Sequence, residues 1–256
     1  MANGKIAYNN HATSATITAT TEATGFEAAN AGNWNLYDSW KGTHATQNIL
    51  SFDLGAVTDV DYFAVFGHDV IDYSGTIKFQ WSNDGATGWT DLIGTVTPAD
   101  KSAIFKTFTS VNKRYFRVLL DHTGGAPLLS VVSFGEHLTL SNGFMAGFNP
   151  IGLTDDAALN QNISEDGIPL GRSTSVSGSD YVISQTNVTE AWVRSDWMPF
   201  IEAAKTQPFF VMWDETNFPL EVVFAWAKLP LNRKEPVTHT VRYMSVSLTI
   251  TGLHEI

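Results

Sequence analysis

Two short stretches hold the side chains best suited to gripping a ligand without reacting with it. The first, Gly25 to Ala45, carries Trp34, Tyr37, Trp40 and His44 among Asn, Gly and Asp. The second, Gly67 to Gly75, carries His68, Asp69 and Tyr73. Aromatic rings can stack on the face of a sugar, and an imidazole or carboxylate beside them adds directional hydrogen bonds. Trp34 and Trp40 also read as plugs for the end of a fold, and His68 either as the partner of Asp69 or as an exposed loop histidine.

Covalent chemistry has little to work with. The carboxylate pairs Asp155-Asp156, Glu165-Asp166 and Asp214-Glu215 are adjacent in turns. Glycoside hydrolysis needs two carboxyls about 5 to 10 Å apart, usually from separate elements. There is no Gly-x-Ser-x-Gly elbow, no His-Glu-x-x-His and no phosphate loop. The seven histidines lack ligand-like spacing, and the chain has no cysteine for a disulfide or a thiolate metal site. No catalytic residue, metal or cofactor is therefore assigned, and an enzyme is not expected. A net charge of −11 without any basic run argues against a grip on nucleic acid. No apolar run approaches the roughly 20 residues of a membrane helix, so no membrane insertion is expected. The N-terminus lacks a signal-peptide pattern, which sets the expectation of synthesis in a cytoplasm.

The elements that must position those loops are strands. Residues 5–8 and 14–20 read as a first, polar, edge-like strand, and residues 49–54, 60–66, 76–82, 101–109 and 113–120 are short, rich in aromatic and β-branched residues, and bounded by Gly, Asp, Asn or Ser. Leu128–Leu140 reads as one final long strand. Ser141-Asn142-Gly143 breaks the pattern and places a domain boundary after residue 140. Residues 146–187 then read as a long loop segment, Gly- and Asn-rich, of the kind that is functional or ordered by a partner. Thr189 with Glu190 in the next position caps a helix, and Pro199 kinks it or starts a second one. Residues 208–213 and 220–227 form a hairpin. In the last strand Met244, Val246, Leu248 and Ile250 share one face, and Ser245, Ser247, Thr249 and Thr251 the other. The fold class is mainly β: an N-terminal β-sandwich over 1–140, then an α+β domain over 141–256.

The order of pieces in the first half carries a resemblance. Asp53-Leu54-Gly55 ends a strand, another leaves Asp59, Ser82-Asn83-Asp84-Gly85 is followed by Trp89, and Arg114-Tyr115-Phe116-Arg117-Val118 closes the run. This resembles the discoidin family, galactose-binding-like modules of the coagulation factor five/eight type C kind, with an eight-stranded jelly-roll. The resemblance implies that the Trp34–His44 loop borders a ligand and that the His68–Tyr73 loop supplies a donor. Sugar-binding relatives place an arginine there, whereas this chain has His68. Some relatives hold Ca²⁺ in the loop matched by Asn30, Asn33 and Asp38; no metal is assigned here.

The second half resembles bacteriophage tail-tip proteins. The likeness lies in an aromatic helix, Gln207-Pro208-Phe209-Phe210-Val211-Met212-Trp213, a hairpin with Trp226, and the terminal Ser247-Leu248-Thr249-Ile250-Thr251-Gly252-Leu253. Distal and minor tail proteins build rings at the tail end. The resemblance implies a structural virion protein of a tail tip or baseplate, assembling as a homo-oligomeric ring. Its partners would be tail tube, hub and fibre proteins, and its sandwich could touch host-surface glycan. The competing reading is a carbohydrate-binding, lectin-like module with no role in assembly.

Overall fold

The computed structural model describes residues 3–144, 148, 157–176, 179–228 and 243–254. Three short strands open the chain: β1 (Lys5–Ala7), β2 (Thr16–Ala19) and β3 (Trp40–Lys41). β4 (Gln47–His68) follows, then β5 (Thr76–Ser82), β6 (Thr90–Asp91), β7 (Ile104–Asp121) and β8 (Leu128–Gly135). The two strands expected at 49–54 and 60–66 are halves of one bent strand. Its register against β7 shifts between Asp53 and Thr58 and again between Val60 and Tyr62, with Gly55 at φ +74°. Such irregularities bend a strand without ending it.

Because β4 and β7 both bend, each contributes to two layers. The outer layer holds β2, the first half of β4, the second half of β7, β5 and β6. The inner layer holds β3, β8 and the remaining halves of β4 and β7. Between them Leu50, Phe52, Phe79, Phe116 and Val118 meet Phe63, Val65, Val132 and Phe134 in one buried core. The rings of Phe63 and Phe79 stack at 4.5 Å.

The inner layer is buried on its other face as well. Tyr62, Ala64, Phe66, Phe105 and Val131 pack against Phe210, Met212, Val222 and Phe224 of a second sheet. A strand buried on both sides must be apolar at consecutive positions, as Tyr62-Phe63-Ala64-Val65-Phe66 is. That second sheet runs β12–β15–β14–β13–β1–β9. Its strands are β9 (His137–Thr139), β12 (Ser179–Thr189), β13 (Phe209–Met212), β14 (Val222–Ala227) and β15 (Tyr243–Leu253). Between β9 and β12, β10 (Ala157–Ile163) and β11 (Pro169–Val176) form a separate two-stranded hairpin.

Two expectations change here. Leu128–Leu140 is not one strand: it breaks at Glu136, so β8 serves the inner layer and β9 the second sheet. Residues 146–187 are not one loop segment, since β10, β11 and most of β12 lie within it; residues 146, 147, 149–156, 177 and 178 lie outside the described set. β1 pairs with β13 on one side and β9 on the other, so hydrogen bonds of the second sheet cross the expected boundary after residue 140.

The far face of the second sheet is covered by a helical segment. Thr189 caps it, accepting from the Trp192 backbone N–H at 3.3 Å. α1 (Glu190–Trp192) passes through a π-helical turn (Val193–Trp197) into α2 (Met198–Ala204). Proline cannot donate to the helical ladder and crowds the carbonyl four residues back, and the wide turn lies where Pro199 would make that conflict. Val193, Trp197, Phe200 and Ile201 bury against Phe209, Val211, Val223, Leu248 and Ile250. The molecule is thus three stacked sheet layers with a helix outermost.

Candidate loop-end binding site

One end of the sandwich is tied together by a single buried amide. Asn48, near the start of β4, is fully buried. Its Oδ1 accepts from Thr21 Oγ1 at 3.1 Å and from the His44 N–H at 3.3 Å. Its Nδ2 donates to the His44 carbonyl at 3.2 Å and lies 2.7 Å from His122 Nε2. Gly42 permits this arrangement, since a Cβ there would sit 2.0 Å from Asn48 Oδ1. The loops around residues 21, 43 and 122 are therefore held to one point. Thr123 extends the tie, its N–H donating to the Tyr73 carbonyl at 3.0 Å.

On this base sit an imidazole, a phenol and an ammonium group. His44 is exposed and Tyr73 partly so. Lys41 Nζ lies 5.8 Å from the centre of the Tyr73 ring. Gly125 closes against that ring, with room for no Cβ: one would stand 2.6 Å from the ring carbon Cε1. Asp72, on the same 3₁₀ turn as Tyr73 (Val70–Tyr73), forms an ion pair of 2.7 Å with Lys101. The cluster offers donors and acceptors on a pre-set backbone, the makings of reversible hydroxyl recognition.

The seven residues expected at the site have different fates. His44 and Tyr73 share this loop end. Tyr37 is 96% exposed on its own turn, held by Asn35, whose Oδ1 accepts the Tyr37 N–H at 3.0 Å. Trp40 is fully buried in the sandwich core and donates from Nε1 to the Thr21 carbonyl. Trp34 packs against Phe210 and Phe224 at 6.3 and 6.1 Å, in the seam between inner layer and second sheet. Trp40 is therefore core, because a ring so covered cannot offer a face to a ligand, and Trp34 is half-buried against the seam. His68 is neither paired with Asp69 nor exposed. It is buried, its Nε2 lies 3.0 Å from the Ser102 carbonyl, and burial lowers its pKa. Asp69 instead accepts the Leu128 N–H at 2.7 Å and pins the turn to β8.

Lys41 and Asn48 were not singled out from sequence. Lys41 has a detectable signal: β3 is only Trp40-Lys41, and if Trp40 faces the core then Lys41 faces away. Asn48 has none, since one more Asn before a strand looks like a turn residue. Asn30, Asn33 and Asp38 serve the loop itself: Asn30 donates to the Ser39 carbonyl, Asn33 accepts the Asn35 N–H, and Asp38 accepts from Asn35 Nδ2. Among the described residues no group of three or more His, Cys, Asp or Glu is placed to hold a metal ion. A cleft is lined by Pro98, Asp100, Ile104, Lys106, Pro219 and Leu220.

No family model matches the chain, and no curated protein matches it. Solved structures do. Chitosan-binding module 1 from a chitosanase/glucanase of Paenibacillus sp. IK-5 is 24% identical, with 50% of this chain and 99% of that one covered at a TM-score of 0.45. Chitosan-binding module 2 of the same enzyme, in complex with chitotriose, is 19% identical over 50% of this chain and 100% of that one, at 0.44. A Clostridium perfringens structure in complex with GalNAc-β-1,3-galactose is 13% identical over 49% and 97%, at 0.43. Nothing in these comparisons points to a phage tail-tip protein.

Proposed function

We propose that this chain is a carbohydrate-binding protein without catalytic activity, and that the loop end holding Lys41, His44 and Tyr73 receives the sugar. The observation that supports it is the buried Asn48 hub, which fixes three loops before any ligand arrives. A binding surface organised in advance spends less of its interaction energy on ordering itself. Binding of the full chain to a glycan array, with chitosan oligosaccharides and GalNAc-β-1,3-galactose included, is the direct test. Tyr73→Ala and Lys41→Ala are each expected to weaken the captured glycan at least tenfold with unchanged melting temperature. An array with no signal, or signal indifferent to both substitutions, rejects the reading.

A second reading is favoured by the β10–β11 hairpin. Its strands pair only with each other among the described residues, and Ile163, Ile168 and Leu170 are 59 to 70% exposed. A lone two-stranded hairpin gains little stability in water unless something covers it. This suits a subunit that assembles with copies of itself, as in a virion tail tip where the sandwich would face the host glycan. Light scattering of the full chain, against one with residues 157–176 replaced by a short Asn-Gly turn, separates the cases. A closed oligomer lost on replacement supports assembly; a monomer for both removes self-assembly.

A further inference from the structure

The solvent face of the outer layer carries a set of side chains that neither the core nor the loop end uses. Strand register lines up Thr18, Ser51, Arg117, Gln80 and Asp91 in one row across β2, β4, β7, β5 and β6. Their neighbours along each strand, Ile17, Leu50, Val118 and Phe79, belong to the core, so alternation turns the row outward. Four inter-strand spacings make it about 19 Å long.

Arg117 is the centre of that row. Its guanidinium lies 4.2 Å from the centre of the Trp89 ring. Its Nε donates to Gln80 Oε1 at 2.7 Å, and Gln80 Nε2 donates in turn to Asp91. Among the described residues its two terminal nitrogens make no hydrogen bond. The fork is thus oriented by a ring and an amide and left unfilled, which is the geometry that receives a planar carboxylate in a bidentate pair.

Lys78 is in the next row of the same face, 3.9 Å from Asp91. Further along β7, Arg114 lies over Tyr115 at 4.8 Å and Lys113 lies at 4.0 Å over Trp81, a ring packed against the core. Among the described residues, three of the four such ring contacts belong to β7. Beside Arg117 and Lys78 the face sets Asp91, Asp53, engaged by Arg114, and Asp121, engaged by Gln47. Asp84, in the β5–β6 turn, uses both carboxylate oxygens on Ser82, Ala86 and Thr87 of its own loop.

We propose that this face is a second binding surface and that its ligand is a polyuronate strand, an acidic polysaccharide carrying one carboxylate per sugar. A carboxylate docks on the Arg117 fork with Lys78 beside it, and Ser51, Thr18 and Asp91 meet the hydroxyls of the sugars on either side. The loop-end site plays no part, so the two stand or fall separately.

The test is retention of the full chain by polygalacturonate in affinity electrophoresis and its affinity by calorimetry. A methyl-esterified polymer of the same backbone and dextran sulfate serve as controls. Expected are binding to polygalacturonate that weakens as salt is raised, loss on esterification, and at least a tenfold loss in Arg117→Gln and Trp89→Ala, with Tyr73→Ala unaffected. Ser51→Glu guards against a variant that fails to fold: it offers Arg117 a carboxylate from the neighbouring strand and should abolish binding while keeping the melting temperature. The proposal is overturned if the parent does not bind polygalacturonate. It is equally overturned if the esterified polymer binds as well, if dextran sulfate binds more tightly, or if Arg117→Gln and Ser51→Glu bind like the parent. Loss in Tyr73→Ala alone would assign the polymer to the loop end and also reject it.

Discussion

Asn48 shows how much one side chain can carry. Removing its amide leaves the Thr21 hydroxyl, the His44 backbone and the buried His122 without their shared partner, at about 2 to 3 kcal/mol. Asn48→Ala is expected to lower the midpoint of urea unfolding by that amount and weaken glycan binding together, whereas Tyr73→Ala affects binding alone. Protonation acts at the same scale. Burial lowers the pKa of His11, His68 and His122 below the ordinary histidine value. The folded chain then holds fewer protons than the unfolded one in mild acid, so stability is complete above about pH 6.5 and falls as pH drops below it. The melting temperature should decline between pH 7 and 5.5, and His68→Gln, which can still donate to Ser102, should flatten that decline. An equal slope in the variant would show that His68 carries none of it. Local sequence gave little access to these roles. A tryptophan beside Asn and Gly looks alike whether it faces a ligand or a core, and His68 beside Asp69 suggests a pair that the strand geometry denies.

Elements were legible where periodicity ran long enough. In β15, Val246, Leu248 and Ile250 are buried and Met244 half-buried, as the alternation requires. The Thr189 cap follows from its side chain and the Glu after it; Thr189→Ala should cost about 1 kcal/mol in thermal unfolding. β4 was harder, because Gly55 and Asp59 look like strand ends when they mark a bend inside a paired strand. A strand of three residues such as β9 carries no period at all. At the end of β4, Gly67 has φ +68° and a Cβ there would lie 2.8 Å from Ser130. Gly67→Ala therefore meets both backbone strain and a clash, and should destabilise by about 1 to 3 kcal/mol. A loss below 0.5 kcal/mol would mean the β4–β8 pairing relaxes there.

The layers have to be considered together, since the inner sheet is core on both sides. Phe66 stacks on Phe224 at 5.0 Å, and Lys5 spans the seam, donating to Thr107 at 2.8 Å and pairing with Glu215. A chain ended at residue 140 would expose Tyr62, Ala64, Phe66, Phe105 and Val131 to water and leave β1 without β13. It is expected to aggregate or bind a hydrophobic dye, and Phe224→Asp in the full chain should loosen both halves at once. A soluble, dye-silent fragment would show that the sandwich face tolerates water. The threading of the chain has a mechanical meaning. β1 leads into the sandwich and β9 leads out of it, side by side and antiparallel in one sheet. A pull exerted through a captured ligand reaches both strands from the same end and loads the β1–β13 hydrogen bonds sideways, as a row that must fail together, not one by one like a zipper. In a single-molecule stretching experiment with the handle on the sandwich, the joint should behave as a stiff clasp that yields in one step.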